Sequence, residues 1–361
     1  MSEAIRTTAQ AARALAALYA AYGYQPFRVQ KFERYELYAE NKRFLTSEKV
    51  LTFTNTDGRL MAMKPDVTLS IVQETQPEGL RKVRYHENVY REQRAGEGFR
   101  EIPQTGLECI GALDDCAVGE TVMLAARSLS ALGRRYVLDV SHIGVVAGVL
   151  EEAGLSDDET AAAYAAVGAK NAAALRALCP GETGGTLSKL VALYGPLGET
   201  LAAAAALPLP EKSRAALETL SRLDRQLQLY GPDGVMLDFS VVNDVDYYDD
   251  IVFRGFVEGV SAGVLSGGRY DRLLRRMGKR GGAIGFAVYL DRLEDALRPP
   301  RGEYDFDTLI LYASEDDVPL AVQTAEAARA KGESVRVERE APQGLRARRT
   351  LCVKDGEAAA C

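Results

Sequence analysis

The stretch from Lys49 to Gly111 constrains the fold more than any other part of the chain, because extended segments follow one another there without room for crossover helices. Lys49–Asn55 and Leu60–Lys64 read as short strands joined by Thr56-Asp57-Gly58-Arg59, and Asp-Gly is a strong hairpin signal. Lys82–Arg91 alternates apolar and polar residues. Ile102–Cys109, reaching Gly111, follows it across a Gly-containing loop, Arg94-Ala95-Gly96-Glu97-Gly98. Parallel strands need a crossover of a dozen or more residues, so successive hairpins predict an antiparallel sheet.

The flanking segments predict an α+β chain. Ala12, Leu15, Ala16, Leu18 and Tyr19 recur at helical spacing, in a helix ended by Gly23. Ala112–Ala131 reads as a helix with Asp114 and Asp115 at its positive end. From about 141 to 229 the chain is alanine-rich and helical, broken by Pro180-Gly181, Gly184-Gly185 and Pro208-Leu209-Pro210, which predicts an inserted helical subdomain. Val235–Ser240 and Ile251–Val257 resume the strands, and Gly282–Leu297 reads as a strand running into a helix. Gly267-Gly268 reads either as part of a site or as a plain turn or bulge. Pro299-Pro300-Arg301-Gly302 is a linker. It separates a core over 1–298 from a small unit over 303–361, where strand (Thr308–Tyr312), helix (Val318–Lys331) and strand (Ser334–Glu338) suggest βαβ.

Composition narrows the function. The 361 residues carry a net charge of −7, which argues against a nucleic-acid partner, since affinity for phosphate backbones comes from clustered Lys and Arg. With His86 and His142 as the only histidines, a His-rich metal site and most His-based acid–base catalysis are unavailable. Cys109, Cys116, Cys179, Cys352 and Cys361 form no CxxC pair. Their odd count and irregular spacing predict free thiols in a reducing cytosol. No window approaches the ~20 apolar residues of a membrane span. The chain therefore reads as cytoplasmic, with no membrane partner and no cofactor.

Five motifs carry a resemblance to a known family. Tyr90-Arg91-Glu92-Gln93-Arg94, with Phe99 to Glu108 after the loop, resembles motif 2 of class II aminoacyl-tRNA synthetases, and specifically of histidyl-tRNA synthetase. Met63-Lys64-Pro65-Asp66-Val67-Thr68 resembles that family's Arg-Pro-Glu-Gly-Thr segment. Asp246-Tyr247-Tyr248 and Ser266-Gly267-Gly268-Arg269-Tyr270-Asp271 resemble its two histidine motifs, and Gly285 to Leu293 resembles motif 3. They stand in family order across residues 5–298. The resemblance implies a class II synthetase-like antiparallel sheet flanked by helices, with a helical insertion and a small α/β tail. It also implies a histidine pocket. Asp66, Thr68 and Gln104 are assigned to the ligand's ammonium end, and Glu108, Tyr248 and Tyr270 to its imidazole. Arg91 and Tyr247 complete the candidate set. Because neighbours on a strand face opposite ways, at most one of Tyr247 and Tyr248 is expected to point inward. Buried polar partners of this kind select a ligand by penalising one that leaves them unpaired.

The family's pattern also breaks. Its second reactive arginine is replaced by Asn243, beside Asp244, so a needed cation becomes a neutral group next to an anion. Tyr289 stands where the family has a glycine that lets adenine approach, leaving Arg91 and Arg292 in a degenerate ATP site. The tail is short and lacks a basic face. A synthetase-like core without its chemistry is similar to the regulatory subunits of ATP phosphoribosyltransferase. That likeness implies no activity alone, the short-form catalytic subunit as partner, L-histidine as inhibitory effector, and a homodimer within a hetero-oligomer. The alternatives are a histidyl-tRNA synthetase, another ATP-dependent amino-acid-activating paralogue, or a histidine sensor for some other protein.

Overall fold

The structure is a computed structural model that describes residues 5–45, 49–75, 79–92, 98–242, 247–297 and 304–361. The chain divides into two compact units, Met1–Leu297 and Arg298–Cys361.

Nine described strands of the first unit form one sheet. In chain order they are β1 (Gln25–Pro26), β2 (Leu80–Glu92), β3 (Phe99–Gly111), β4 (Tyr136–His142), β5 (Tyr194–Pro196), β6 (Val235–Asp238), β7 (Ile251–Val257), β8 (Leu265–Arg269) and β9 (Gly282–Tyr289). Their spatial order is β1-β2-β3-β9-β8-β7-β4-β6-β5. The β2–β3 hairpin is antiparallel along its full length, from Leu80 opposite Gly111 to Glu92 opposite Phe99. The sheet is not wholly antiparallel, since β1 pairs with β2, and β4 with β6, in parallel. Gly267 and Gly268 lie in the regular strand β8 rather than in a turn.

The period-2 alternation divides the two faces. Leu107 and Cys109 of β3, with Phe286 and Val288 of β9, pack into a core shared with the helices Thr8–Ala21, Asp115–Ala131 and Glu211–Tyr230. The first helix is capped by the Thr7 side chain and the second by Asp114, each accepting from a backbone N–H of the first turn. The opposite face carries Val83, Tyr85, Val89, Ile110 and Ala283, packed with Leu69, Ile71 and Val72 of the helix Thr68–Glu74. That face holds the site. A separate three-stranded sheet, Phe32–Arg34, Leu60–Met63 and Thr52–Thr54, contains the Asp57-Gly58 hairpin.

The segment read as helical from about 141 begins differently. Tyr136–His142 is a strand, and the helices start at Ile143. The boundary shifts because the strand passes straight into the helix, with Gly144 already in its first turn and the His142 ring accepting from the Gly144 N–H to cap it.

In the second unit, Phe306–Tyr312, the helix Val318–Arg329 and Val335–Glu338 form the βαβ unit, with the two strands parallel. A hairpin, Ala347–Lys354 and Glu357–Ala360, adds to it. The hairpin corrects the thiol assignment, because it brings Cys352 and Cys361 together in a disulfide. Cys109, Cys116 and Cys179 remain free. No helix among the described residues is long and apolar enough to cross a membrane.

Candidate functional site

A cavity of about 300 Å³ opens on the sheet face covered by the helix Thr68–Glu74. Its position follows from a row of glycines. Glu108 on β3 stands opposite Gly285 on β9, which stands opposite Gly268 on β8. A Cβ on Gly285 would lie 1.7 Å from Glu108 Oε2, and one on Gly268 would lie 2.6 Å from the Tyr248 ring. Glycine at these positions lets a carboxylate and an aromatic ring lie flat against the sheet, where any other residue would fill the space.

Glu108 is 2% exposed. Its Oε1 accepts from the Thr68 hydroxyl at 2.7 Å and its Oε2 from the Tyr270 hydroxyl at 2.5 Å. Burial pushes its carboxyl up to about 8; the two hydroxyl donors pull against that rise and the Asp66 charge adds to it. Thr68 and Glu108, expected at opposite ends of a ligand, are therefore hydrogen-bonded to each other. Asp66 Oδ1 accepts from the Leu69 N–H at 2.8 Å, so this side chain also fastens the start of the helix Thr68–Glu74. Burial raises the Asp66 carboxyl too, opposed by the Leu69 N–H and by Arg91.

All eight candidate ligand-binding residues line this one cavity: Asp66, Thr68, Arg91, Gln104, Glu108, Tyr247, Tyr248 and Tyr270. Both Tyr247 and Tyr248 do so, contrary to the expectation that one would turn away. They precede β7 instead of lying on it, so strand alternation does not apply. Their rings meet at 4.8 Å, and Tyr247 also packs against Tyr270 at 5.7 Å and Phe44 at 6.1 Å, forming an aromatic wall.

Tyr289 lines the cavity opposite Gln104, its cross-strand partner. The Arg292 guanidinium lies 4.2 Å from the centre of its ring and that of Arg91 5.9 Å. Arg91 is buried and lines the cavity. Arg292 is exposed, is not among the lining residues, and donates to the Gly263 carbonyl. Asn243, Asp244 and Asp246 lie outside the described residues, as does most of the Arg94–Gly98 loop. Among the described residues no cluster of three or more His, Cys, Asp or Glu could hold a metal ion.

Sequence reasoning passed over Tyr85, Ser266 and Phe44, which also line the cavity. The first two carried a signal. Tyr85 has the same strand parity as Arg91, and Ser266 the same parity as Gly268. Phe44 had none, since it reaches the cavity from a single 3₁₀ turn, Lys42–Phe44.

Residues 2–293 match the family model described as histidyl-tRNA synthetase. Among curated proteins, the chain is 32% identical over 292 residues to the ATP phosphoribosyltransferase regulatory subunit of Geobacter metallireducens, covering 77% of this chain and 67% of that one. It is 28% identical over 336 residues to the protein of that name from Acetivibrio thermocellus, covering 89% and 80%. Among solved structures, an ATP phosphoribosyltransferase regulatory subunit/histidyl-tRNA synthetase from Bacillus halodurans C superposes with a TM-score of 0.72 at 24% identity, covering 92% of this chain and 88% of that one. The ATP phosphoribosyl transferase (HisG:HisZ) complex from Thermotoga maritima contains a chain that superposes with a TM-score of 0.61 at 18% identity, covering 78% and 97%. At those identities the two structures establish the fold.

Proposed function

The chain belongs to the family of ATP phosphoribosyltransferase regulatory subunits, and from that premise we propose that it binds free L-histidine in this cavity and couples the binding to a catalytic phosphoribosyltransferase subunit. As a regulatory subunit it is not itself the catalyst. The observation that carries the histidine assignment is the Glu108 carboxyl, buried beside Asp66, Arg91 and Gln104 in a cavity walled by tyrosines. Free histidine offers a cation, an anion and a ring with two nitrogens. Asp66 and Gln104 suit the ammonium, Arg91 the carboxylate, and Glu108 with Tyr270 the imidazole.

The phosphate end supports binding without activation. Amino-acid adenylation depends on cationic groups free to meet the transferring phosphate. Arg292 is engaged by the Tyr289 ring and the Gly263 carbonyl, and Tyr289 occupies cavity wall that an adenine would need. In this reading histidine shifts the assembled transferase toward a less active state, by no more than its differential affinity for the two states. The chain works in the cytoplasm, as a homodimer within a hetero-oligomer, without nucleic acid.

Calorimetric titration of the full chain with L-histidine, repeated on Glu108→Ala, tests the site. Saturable binding lost in the variant is expected, and unchanged affinity removes Glu108 from it. Reconstitution with a short-form catalytic subunit should give a transferase that histidine inhibits less once Glu108 is replaced. Robust histidine-dependent ATP–pyrophosphate exchange by the chain alone would instead support the amino-acid-activating alternative.

A further inference from the structure

We propose that the Tyr85 hydroxyl is a binding group for the ammonium of the amino acid held in the cavity; this rests on the histidine reading above. Tyr85 is on β2, opposite Gly106 of β3. Its ring crosses the strand at that point, and a Cβ on Gly106 would lie 2.6 Å from the hydroxyl. The hydroxyl thereby reaches β9, where it donates to the Phe286 carbonyl at 3.5 Å, a long contact and its one hydrogen bond among the described residues. The residue is 5% exposed and lines the cavity.

Two other cavity hydroxyls are placed differently. Those of Thr68 and Tyr270 both spend their protons on Glu108. Like them Tyr85 keeps its acceptor lone pairs, but its own proton is held only by the long contact with the Phe286 carbonyl. A buried hydroxyl that spends its proton weakly on a backbone carbonyl has lone pairs for an incoming N–H, and leaving them unmet is costly. The charge around it selects the kind of N–H. Asp66 and Glu108 are the carboxyl groups that act on the Tyr85 phenol, and each, when ionised, favours a cation near its oxygen. An ammonium has three donors to satisfy. Asp66 and Gln104 account for two, and Tyr85 supplies an acceptor for the third. The imidazole, with at most two N–H groups, is already matched to Glu108.

The test is to titrate the full chain and Tyr85→Phe with L-histidine and with 3-(imidazol-4-yl)propionate, the same molecule without its ammonium, at pH 7.5. The second ligand is read by displacement of labelled histidine. The variant keeps the ring and loses only the oxygen. Its histidine affinity should fall roughly tenfold or more, the usual worth of a hydrogen bond to a charged group, while the propionate affinity stays within about twofold of the unmodified chain. An unchanged histidine affinity, or an equal loss for both ligands, would overturn the assignment. If the unmodified chain binds no histidine, the reading of the cavity falls instead, and the role of Tyr85 with it.

Discussion

Replacing Glu108 by Gln should stabilise the ligand-free protein, by an amount that grows with pH. The carboxyl is held at about 8 in the fold against an ordinary 4.5. A raised carboxyl is protonated in the folded state while the unfolded chain has already ionised, so the unfolded state binds fewer protons and stability falls as pH rises. The contribution is fully present below about pH 4.5, drains away between 4.5 and 8, and is flat above. At 1.36 kcal/mol per pH unit the loss reaches about 3 kcal/mol by pH 7 and about 5 by pH 8. Gln does not titrate, and its amide can meet the Thr68 and Tyr270 hydroxyls at a cost of about 1 kcal/mol for an imperfect match. The variant should therefore be about equal to the parent near pH 5 and about 2 kcal/mol more stable at pH 7. For a unit of this size that means a melting-temperature difference opening by roughly 2 °C per pH unit between 5 and 8. Calorimetric melts of both proteins at pH 5, 6, 7 and 8 measure it. A difference independent of pH across that window would refute the burial of an ionisable Glu108.

Two further outcomes follow from the packing. Gly285→Ala places a methyl 1.7 Å from Glu108 Oε2 and 2.5 Å from the Leu107 carbonyl. It should cost about 1–3 kcal/mol of overpacking strain and abolish histidine binding, as read by thermal unfolding and titration; full retention of binding would show that Glu108 does not lie over this glycine. Reducing the Cys352–Cys361 disulfide, which spans nine positions, or replacing Cys361 by Ser, should loosen the C-terminal unit by about 2–3 kcal/mol through loop entropy. Hydrogen exchange over Ala347–Lys354 reads this, and unchanged protection would contradict it.

The parts legible in the sequence were those whose signal is local. The hairpin built from Lys82–Arg91 and Ile102–Cys109 needs only alternation and a loop, and the structure extends it at both ends. The helix at Asp115–Ala131 carries its own cap in Asp114. What was not legible depends on partners remote in the chain. Tyr136–His142 is a strand because β7 and β6 flank it, while its sequence runs without a break into a helix. Gly267-Gly268 has the composition of a turn and becomes strand because Phe253, Phe286 and Tyr248 need the space that a side chain would fill. The disulfide requires a hairpin turning at Asp355-Gly356 before its sulfurs can meet. The candidate residues were named by resemblance, but their mutual bonding was not, and the Thr68–Glu108–Tyr270 chain joins groups that ligand chemistry alone had placed apart.

If the cavity holds histidine as proposed, that bonding ties its recognition groups to the fold. The proposed recognition groups are set into the sheet itself: Glu108 depends on Gly285, Tyr248 on Gly268 and Tyr85 on Gly106, and the same strands carry the core on their other face. Removing the pocket would disturb the fold. Activation depends on side chains near the rim, where Arg292 is exposed and surface substitutions usually change stability by no more than about 0.5 kcal/mol. A tyrosine at 289 that engages Arg292 can therefore hinder nucleotide binding at little structural cost while leaving the buried acceptors in place. On that reading the half of the site that binds is the half that folding protects.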